Sequence, residues 1–486
     1  MSTAPSAVER NGINPVPDTE RRGRPRELFA IWFSWNVSIL GIGYGIYVFG
    51  LGLSVWQAIL AGTLGYVGSA LLVGVLSVGG PRTGLPTLTQ TRFAFGLQGN
   101  KFPAVFAYIT SVGWNIIIIA VAWTTGAALL GRLWPNAFVA EGGGVSSGAV
   151  VIWFVVVLAV TLLVAMIGHQ LIVKVESWIA WLTAVMTVVF IVLIVPHIRW
   201  EAVGSVPDGS WVRFLGGVIL AMTMVGLGFL TYGGDFARYL PRAVPARGVI
   251  TWTTAGIALP VTALLVLGVL LAAGNSDLGT AAASDPIGAL TALLPLWFLI
   301  PFSIVVVISL VAAAITSVYS SGLALLALGM PLSRIGTTAL NTIVISAGAF
   351  YLLFVSDSFL ATFQAFLALV SVLTGAMGSI QLVDFVRQRW LDWDVTMALP
   401  SSAGGRDVRW TAIVSLGLAA FVGLGTVTSA DPNIATVVGF LLGSEAEKGV
   451  VGQANLGVVL AMLVAAAVYA CLTFVFEVDN KTVTDD

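Results

Sequence analysis

The chain has 486 residues, 58% of them hydrophobic and only 9% charged, with a formal net charge of −1. That balance excludes a soluble globular protein of this length, and apolar stretches of about 20 residues recurring from end to end argue an all-α polytopic membrane protein. No basic block is long enough for nucleic acid, and the single cysteine, Cys471, excludes an internal disulfide and a CxxC redox or zinc site.

Residues 1–27 make a polar, arginine-rich tail. The apolar run behind it is long and no small-residue cleavage site precedes a soluble domain, so it reads as a retained first span and not a signal peptide. Twelve transmembrane helices are expected, near 28–52, 55–79, 104–131, 147–167, 171–196, 213–234, 249–273, 295–327, 335–356, 358–386, 409–429 and 452–476. The first is interrupted by Gly41, Gly43 and Gly45. The connection 79–103 is rich in turn-forming Gly and Pro, and its Phe93, Phe95 and Leu97 suggest a short interfacial helix. Span 3 holds Trp114 near its middle, beside Gly113 and Asn115, although tryptophan in membrane proteins favours the interfaces. His169 and His197 sit near span ends, too far apart in sequence for a metal site. Span 6 is interrupted by Gly226, Gly228, Gly233 and Gly234 and ends in Asp235, Arg238 and Tyr239. Hydroxyls of span 8 (Ser309, Thr316, Ser317, Ser320, Ser321) and polar groups of span 10 (Gln364, Ser371, Thr374) follow. The apolar segment 434–442 is too short to cross and either extends span 11 or lies at the interface.

Glycine costs about 1 kcal/mol in a helix interior. In a bilayer, unwound backbone persists only where it is buried in protein or lines a wet cavity. Gly-interrupted spans in corresponding positions of two halves therefore point to a secondary transporter's binding site, with unwinding expected near 41–45 and 226–234. Close packing through small residues is the alternative. Of the 22 Lys and Arg, four (Arg132, Arg199, Arg213 and Lys448) lie in the loops opposite the N-terminus and Lys481 in the C-terminal tail, which leaves 17 on the N-terminal side. Both termini are accordingly expected to be cytoplasmic, in the cell membrane.

Several motifs resemble the nucleobase–cation symporter family of purine–cytosine permease type: the stretch 11–40, NGINPVPDTERRGRPRELFAIWFSWNVSIL; GPRTGLP at 80–86; FGLQGNKFP at 95–103; YGGDFARYLP at 232–241; VYSSGL at 318–323; and SIQLVDFV at 379–386. The resemblance implies a LeuT-like five-plus-five inverted repeat with broken helices 1 and 6. Residues 28–196 (spans 1–5) and 213–386 (spans 6–10) would be the repeats, 409–476 (spans 11–12) would lie outside them, and 1–27 and 477–486 would be cytoplasmic tails.

A midspan Trp114 offers either core packing or an aromatic face for a planar ligand; the family places a nucleobase-stacking tryptophan here. Ile118 stands where some relatives carry a polar residue, and Asn115 is the polar neighbour. From span 6, Phe229 is the expected second wall, with Gly228 and Thr231 offering backbone or hydroxyl groups, because the slot that relatives often fill with an aromatic is Gly226. Gly43 and Gln364 complete the substrate candidates. Ser309 and Thr316, seven apart, share a helix face and with Gly41 and Tyr44 are the cation candidates. The resemblance places the sodium-ligating side chains of relatives at Ser309, Ala312 and Ala313, and a substrate-contacting Asn at Ala314; the alanines offer no side-chain ligand. Asp235, Arg238, Asp384 and Glu176 are candidates for gating or for structural ion pairs.

The expected function is import of a nucleobase or similar cytosine- or purine-like heterocycle with a cation, by alternating access. The cation is H+ or Na+, with the proton favoured because two of the three sodium positions are alanine. No other cofactor, no enzymatic chemistry and no obligate protein partner is expected beyond substrate and lipid bilayer. An amino-acid or amine carrier of the same fold would want a charge-matching group at the breaks. A membrane-embedded enzyme would show clustered acids or histidines at midmembrane, and a channel a filter loop or charged rings; none is evident.

Overall fold

The computed structural model describes residues 13–138, 151–159, 169–284, 286–328, 334–356, 358–390, 393–399 and 407–482, which are helices and connections with no strand among them. Seven helices are long and apolar enough to cross a bilayer: Val55–Thr83, Lys101–Leu133, Trp211–Thr231, Ala246–Ala273, Leu296–Ala314, Phe359–Arg389 and Gly457–Phe474. The pair Pro25–Asn36 and Leu40–Phe49 forms one further span bent by 73°, and Trp181–His197, Ala339–Phe354 and Trp410–Thr426 are shorter apolar helices. These coincide with the expected spans, except that the fourth, 147–167, lies mostly outside the described residues. Exposed Trp56, Trp211, Trp297 and Trp410 stand at the heads of their helices, where the ring spans the boundary between hydrocarbon and water.

Span 1 is broken, but not at its glycines. The first helix stops at Asn36, whose Nδ2 donates to the Trp32 carbonyl at 2.7 Å. Val37 is extended, and a second helix runs unbroken from Leu40 through Gly41, Gly43 and Gly45 to Phe49. The expectation of unwinding near 41–45 is thus corrected: the break precedes the glycines, which serve packing. A Cβ on Gly41 would lie 2.9 Å from Leu264 Cβ, one on Gly45 would strike the Leu265 carbonyl oxygen, and one on Gly268 would strike that of Ile42. Spans 1 and 7 approach so closely here that only glycine fits.

Span 6 breaks where expected. Its helix Trp211–Met224 ends at Val225 (φ −134°, ψ −75°), a 3-10 segment covers Gly226–Thr231, and a short helix follows at Gly233–Ala237. Span 7 packs on spans 1 and 2, span 6 on span 2, span 3 on spans 8 and 9, and span 10 on span 12, which also holds span 11. The connection after span 2 is not one interfacial helix. It folds into three short helical pieces, Gly79–Thr83, Thr87–Gln90 and Arg92–Phe95, with Phe93 and Phe95 buried. The segment 434–442 does not extend span 11: its Gly439 and Leu441 N–H groups donate back to the carbonyls of Leu424 and Gly425 at 2.8 Å.

Candidate functional site

The break of span 6 faces the middle of span 3. A Cβ on Gly228 would lie 3.2 Å from Trp114 Nε1, so the glycine brings backbone against the indole. On its other side Trp114 meets two rings of span 10, Phe363 at 6.2 Å and 76° and Phe366 at 6.0 Å and 85°. Both contacts are edge-on, so neither ring occupies a stacking position on the indole. Gly113 permits the approach, since a Cβ there would collide with the Phe366 ring. Phe363 is in turn stacked on Tyr44 of span 1 at 6.2 Å and 14°. Spans 1, 3, 6 and 10 thus converge on one half-buried tryptophan.

Phe229 faces elsewhere. Its ring neighbours are Trp32 (5.3 Å) and Trp35 (6.3 Å), and Trp35 also meets Tyr232 and Phe236. These rings form a second aromatic wall on the side of the N-terminal tail, and Tyr232 is hydrogen-bonded to Ser111, one turn before Trp114. Thr231 is buried beside it. Gly226 is not at the site: a Cβ there would strike Ser69 of span 2, so the glycine serves packing. Asn115 is fully buried and turns its Nδ2 to the Ser111 carbonyl of its own helix at 2.9 Å. Gly43 is buried in the intact helix of span 1. Gln364 is half-buried, about 100° round the helix from Phe363.

Of the cation candidates, Gly41 faces Leu264 and the Tyr44 ring lies on Phe363. Ser309 is half-buried, and the Thr316 side chain lies outside the described residues. Among the described residues no group of three His, Cys, Asp or Glu side chains forms a metal site.

Of the gating candidates, Asp235 Oδ1 accepts from the Thr87 N–H at 2.7 Å while Thr87 Oγ1 accepts from the Gly234 N–H at 2.7 Å. That reciprocal pair joins the end of span 6 to the connection after span 2. The Arg238 guanidinium lies over the Tyr239 ring, 5.3 Å from its centroid. Asp384 is a structural centre: Arg387 Nε is 3.0 Å away, and Tyr469 OH (3.0 Å) and Gln388 Nε2 (3.3 Å) donate to it, joining span 10 to span 12. The Glu176 side chain lies outside the described residues.

Sequence reasoning missed Arg21. It is buried and donates to the carbonyls of Val16 (2.7 Å), Pro81 (3.3 Å) and Thr83 (3.4 Å). Burial pulls its pKa below the ordinary value, against the opposing effect of Asp18 at 3.3 Å. Gly84, at φ +73°, makes room for this guanidinium. Gly23 N–H donates to the Tyr239 carbonyl at 3.1 Å and Arg82 donates to that of Arg242 at 2.6 Å. The tail, the GPRTGLP turn and the end of span 6 therefore meet at one end of the bundle. The motifs were visible separately; nothing in their spacing said that they touch.

The two ends of the bundle differ. At the end away from the tail, helices Ser276–Ser284 and Pro286–Thr291 pack across spans 1, 3 and 10, and Tyr47 OH donates to the Ala282 carbonyl at 3.0 Å. At the tail end, Trp35 is 51% exposed despite its ring neighbours on span 6. Ala313 of span 8 is exposed on the face where Phe302 and Val306 are buried farther out. The two short helices cover the far end, while Trp35 and Ala313 are exposed toward the tail.

A family model described as permease for cytosine/purines, uracil, thiamine, allantoin matches residues 15–452. The putative purine-cytosine permease YxlA of Bacillus subtilis (strain 168) is 26% identical over 279 residues, which are 56% of this chain and 55% of that protein. The purine-cytosine permease FCY2 of Saccharomyces cerevisiae (strain ATCC 204508 / S288c) is 25% identical over 276 residues, 54% of this chain and 47% of the relative. The matched stretch spans about half the length of each. Two structures of Mhp1, a nucleobase-cation-symport-1 family transporter, share the fold. The inward-facing one superimposes with a TM-score of 0.70 at 15% identity, covering 97% of this chain and 96% of that one. The closed one, with bromovinylhydantoin bound, gives 0.62 at 17% identity, covering 96% and 95%.

Proposed function

Because the chain belongs to this family of permeases for cytosine/purines, uracil, thiamine, allantoin, we propose that it imports a nucleobase or related flat heterocycle by alternating access, coupled to a cation. The observation that carries this reading is Trp114: an indole at the break of span 6 that meets Phe363 and Phe366 at steep angles, with no ring among the described residues stacked parallel on it. A flat base stacks on such an indole, and the broken backbone around Gly228 supplies N–H and C=O groups for its polar edge. The excess of basic residues in the tail and the loops on its side makes the tail end cytoplasmic and the far end the outer one. Spans 1–5 (28–196) and 6–10 (213–386) are the two repeats in this reading, with 409–476 outside them.

The proton is favoured over sodium. Ala312 and Ala313 bring no side-chain oxygen to span 8, and a hard cation needs several oxygen ligands. Asp384 is held by Arg387, Tyr469 and Gln388; Asp235, whose Oδ1 accepts from the Thr87 N–H, is the carboxylate closest in sequence to the break of span 6. One cation moving down about 100 mV supplies about 2.3 kcal/mol, enough for a roughly fifty-fold gradient. Vesicle uptake of a panel of labelled bases, with an imposed pH gradient and no sodium, tests the whole reading. Uptake that rises with the proton gradient supports it; uptake that is flat until sodium is added overturns the ion. No uptake of any base by well-expressed protein overturns the function.

A further inference from the structure

The first turn of span 10 is fastened to the loop beyond span 11 by a single carboxylate. Asp431 is only 4% exposed, although it lies outside the spans, as the cap of helix Pro432–Ala435. Its Oδ1 accepts from the N–H groups of Asn433 (3.0 Å) and Ile434 (3.3 Å), which is ordinary capping. Its Oδ2 accepts from Thr362 Oγ1 at 2.6 Å. An ionised carboxylate only accepts, so the one Thr362 proton is committed, and in the 2.6 Å contact between Ser356 and Thr362 the donor is Ser356. Asn433 Nδ2 also donates to Tyr351 OH at 3.0 Å. The relay runs from the end of span 9 through span 10 to the loop after span 11. That loop is itself anchored: Asn455, at φ 51°, accepts from the Thr428 N–H at 3.0 Å and donates to its carbonyl at 3.2 Å.

Thr362 immediately precedes Phe363, the ring that lies edge-on to Trp114 and stacks on Tyr44. We propose that Asp431 is a positioning residue for transport: through Thr362 it holds the outer end of span 10, and with it Phe363, closed over the site, and its release accompanies outward opening. This rests on the reading of Trp114 as the substrate wall. The Thr362 hydroxyl, joined by the two backbone N–H groups, outweighs burial and holds the Asp431 carboxyl below the usual range, so it is ionised and accepting.

The test places a cysteine at Val121, two turns outward of Trp114 on the same face and buried at 1% exposure, in a Cys471→Ser background. A membrane-impermeant thiol reagent is added from outside. Asp431→Ala and Thr362→Val should each speed labelling several-fold, Thr362→Ser should keep the parent rate, and the double variant should be no faster than either single. In uptake, the two single variants should lower both the apparent KM for external substrate and Vmax. Thr362→Val leaves the caps at Asn433 and Ile434 intact, so it decides the matter if Asp431→Ala folds poorly. An unchanged labelling rate in Thr362→Val at normal expression overturns the latch. Labelling needs no substrate, so a failure of base uptake would sink the transport reading while labelling still judges Asp431.

Discussion

Trp114 and Asp384 are both enclosed by other side chains, but they do different work. No ring among the described residues is stacked parallel on the indole, so truncation should cost binding more than folding. Trp114→Ala should weaken base binding by about 1–3 kcal/mol, on the scale of aromatic–base stacking, with Trp114→Phe keeping part of it. Equal affinity in alanine variant and parent, by competition uptake at matched protein level, would reduce Trp114 to packing. Asp384 is the reverse case. Its removal leaves the Arg387 guanidinium, 11% exposed, without its carboxylate, and breaking a buried pair costs about 3–5 kcal/mol. Asp384→Ala should lower the melting temperature in detergent markedly. Tyr469→Phe, which deletes one hydrogen bond to a charged group, should cost about 1.5–3 kcal/mol.

The glycine runs of spans 1 and 6 look alike in composition and act differently as elements. Gly45 is pressed against the backbone of span 7 and Gly228 only against the edge of a side chain. Gly45→Ala should therefore impair assembly, seen as lost protein or a lower melting temperature. Gly228→Ala should insert and melt normally while weakening base binding; if both variants fail alike in stability, the distinction between seam and site is wrong. The outer anchor of span 10 has a pH signature. The folded-state pKa of Asp431 is depressed, so its stabilisation is complete above the unfolded carboxylate value and is lost only as pH falls through the lowered one. Lowering external pH from about 7 to about 5 should leave labelling of the Val121→Cys probe unchanged, because ordinary carboxylates titrate near 4.

For the whole molecule, topology has a direct test. With Cys471 replaced, a cysteine at exposed Ala243 should react only from the cytoplasmic side and one at exposed Asp208 only from outside. External labelling at position 243 in intact cells would invert the orientation and, with it, which end of span 10 is the outer lid. The family motifs converge at the tail end, where Arg21, the Gly80–Pro86 turn and Tyr239 are tied by backbone carbonyls.

Composition and hydropathy alone determined that the chain spans a membrane many times, because about 20 apolar residues in succession have few other stable settings. The motifs from 11 to 386 pointed to the family, and the Gly226–Gly234 cluster to the break of span 6, because a run of glycines with polar neighbours weakens a helix wherever it is placed. The same logic failed at Gly41–Gly45. Glycine in a membrane helix serves unwinding or close approach equally well, and only the position of Leu264, Leu265 and Gly268 decided for approach. Tertiary structure also turned Phe229 toward Trp32 and Trp35, set Phe363 and Tyr44 beside Trp114, and placed Thr362 within reach of Asp431, 69 residues away in sequence. These are contacts between distant helices, fixed by helix rotation and approach, and no local pattern of residues encodes them.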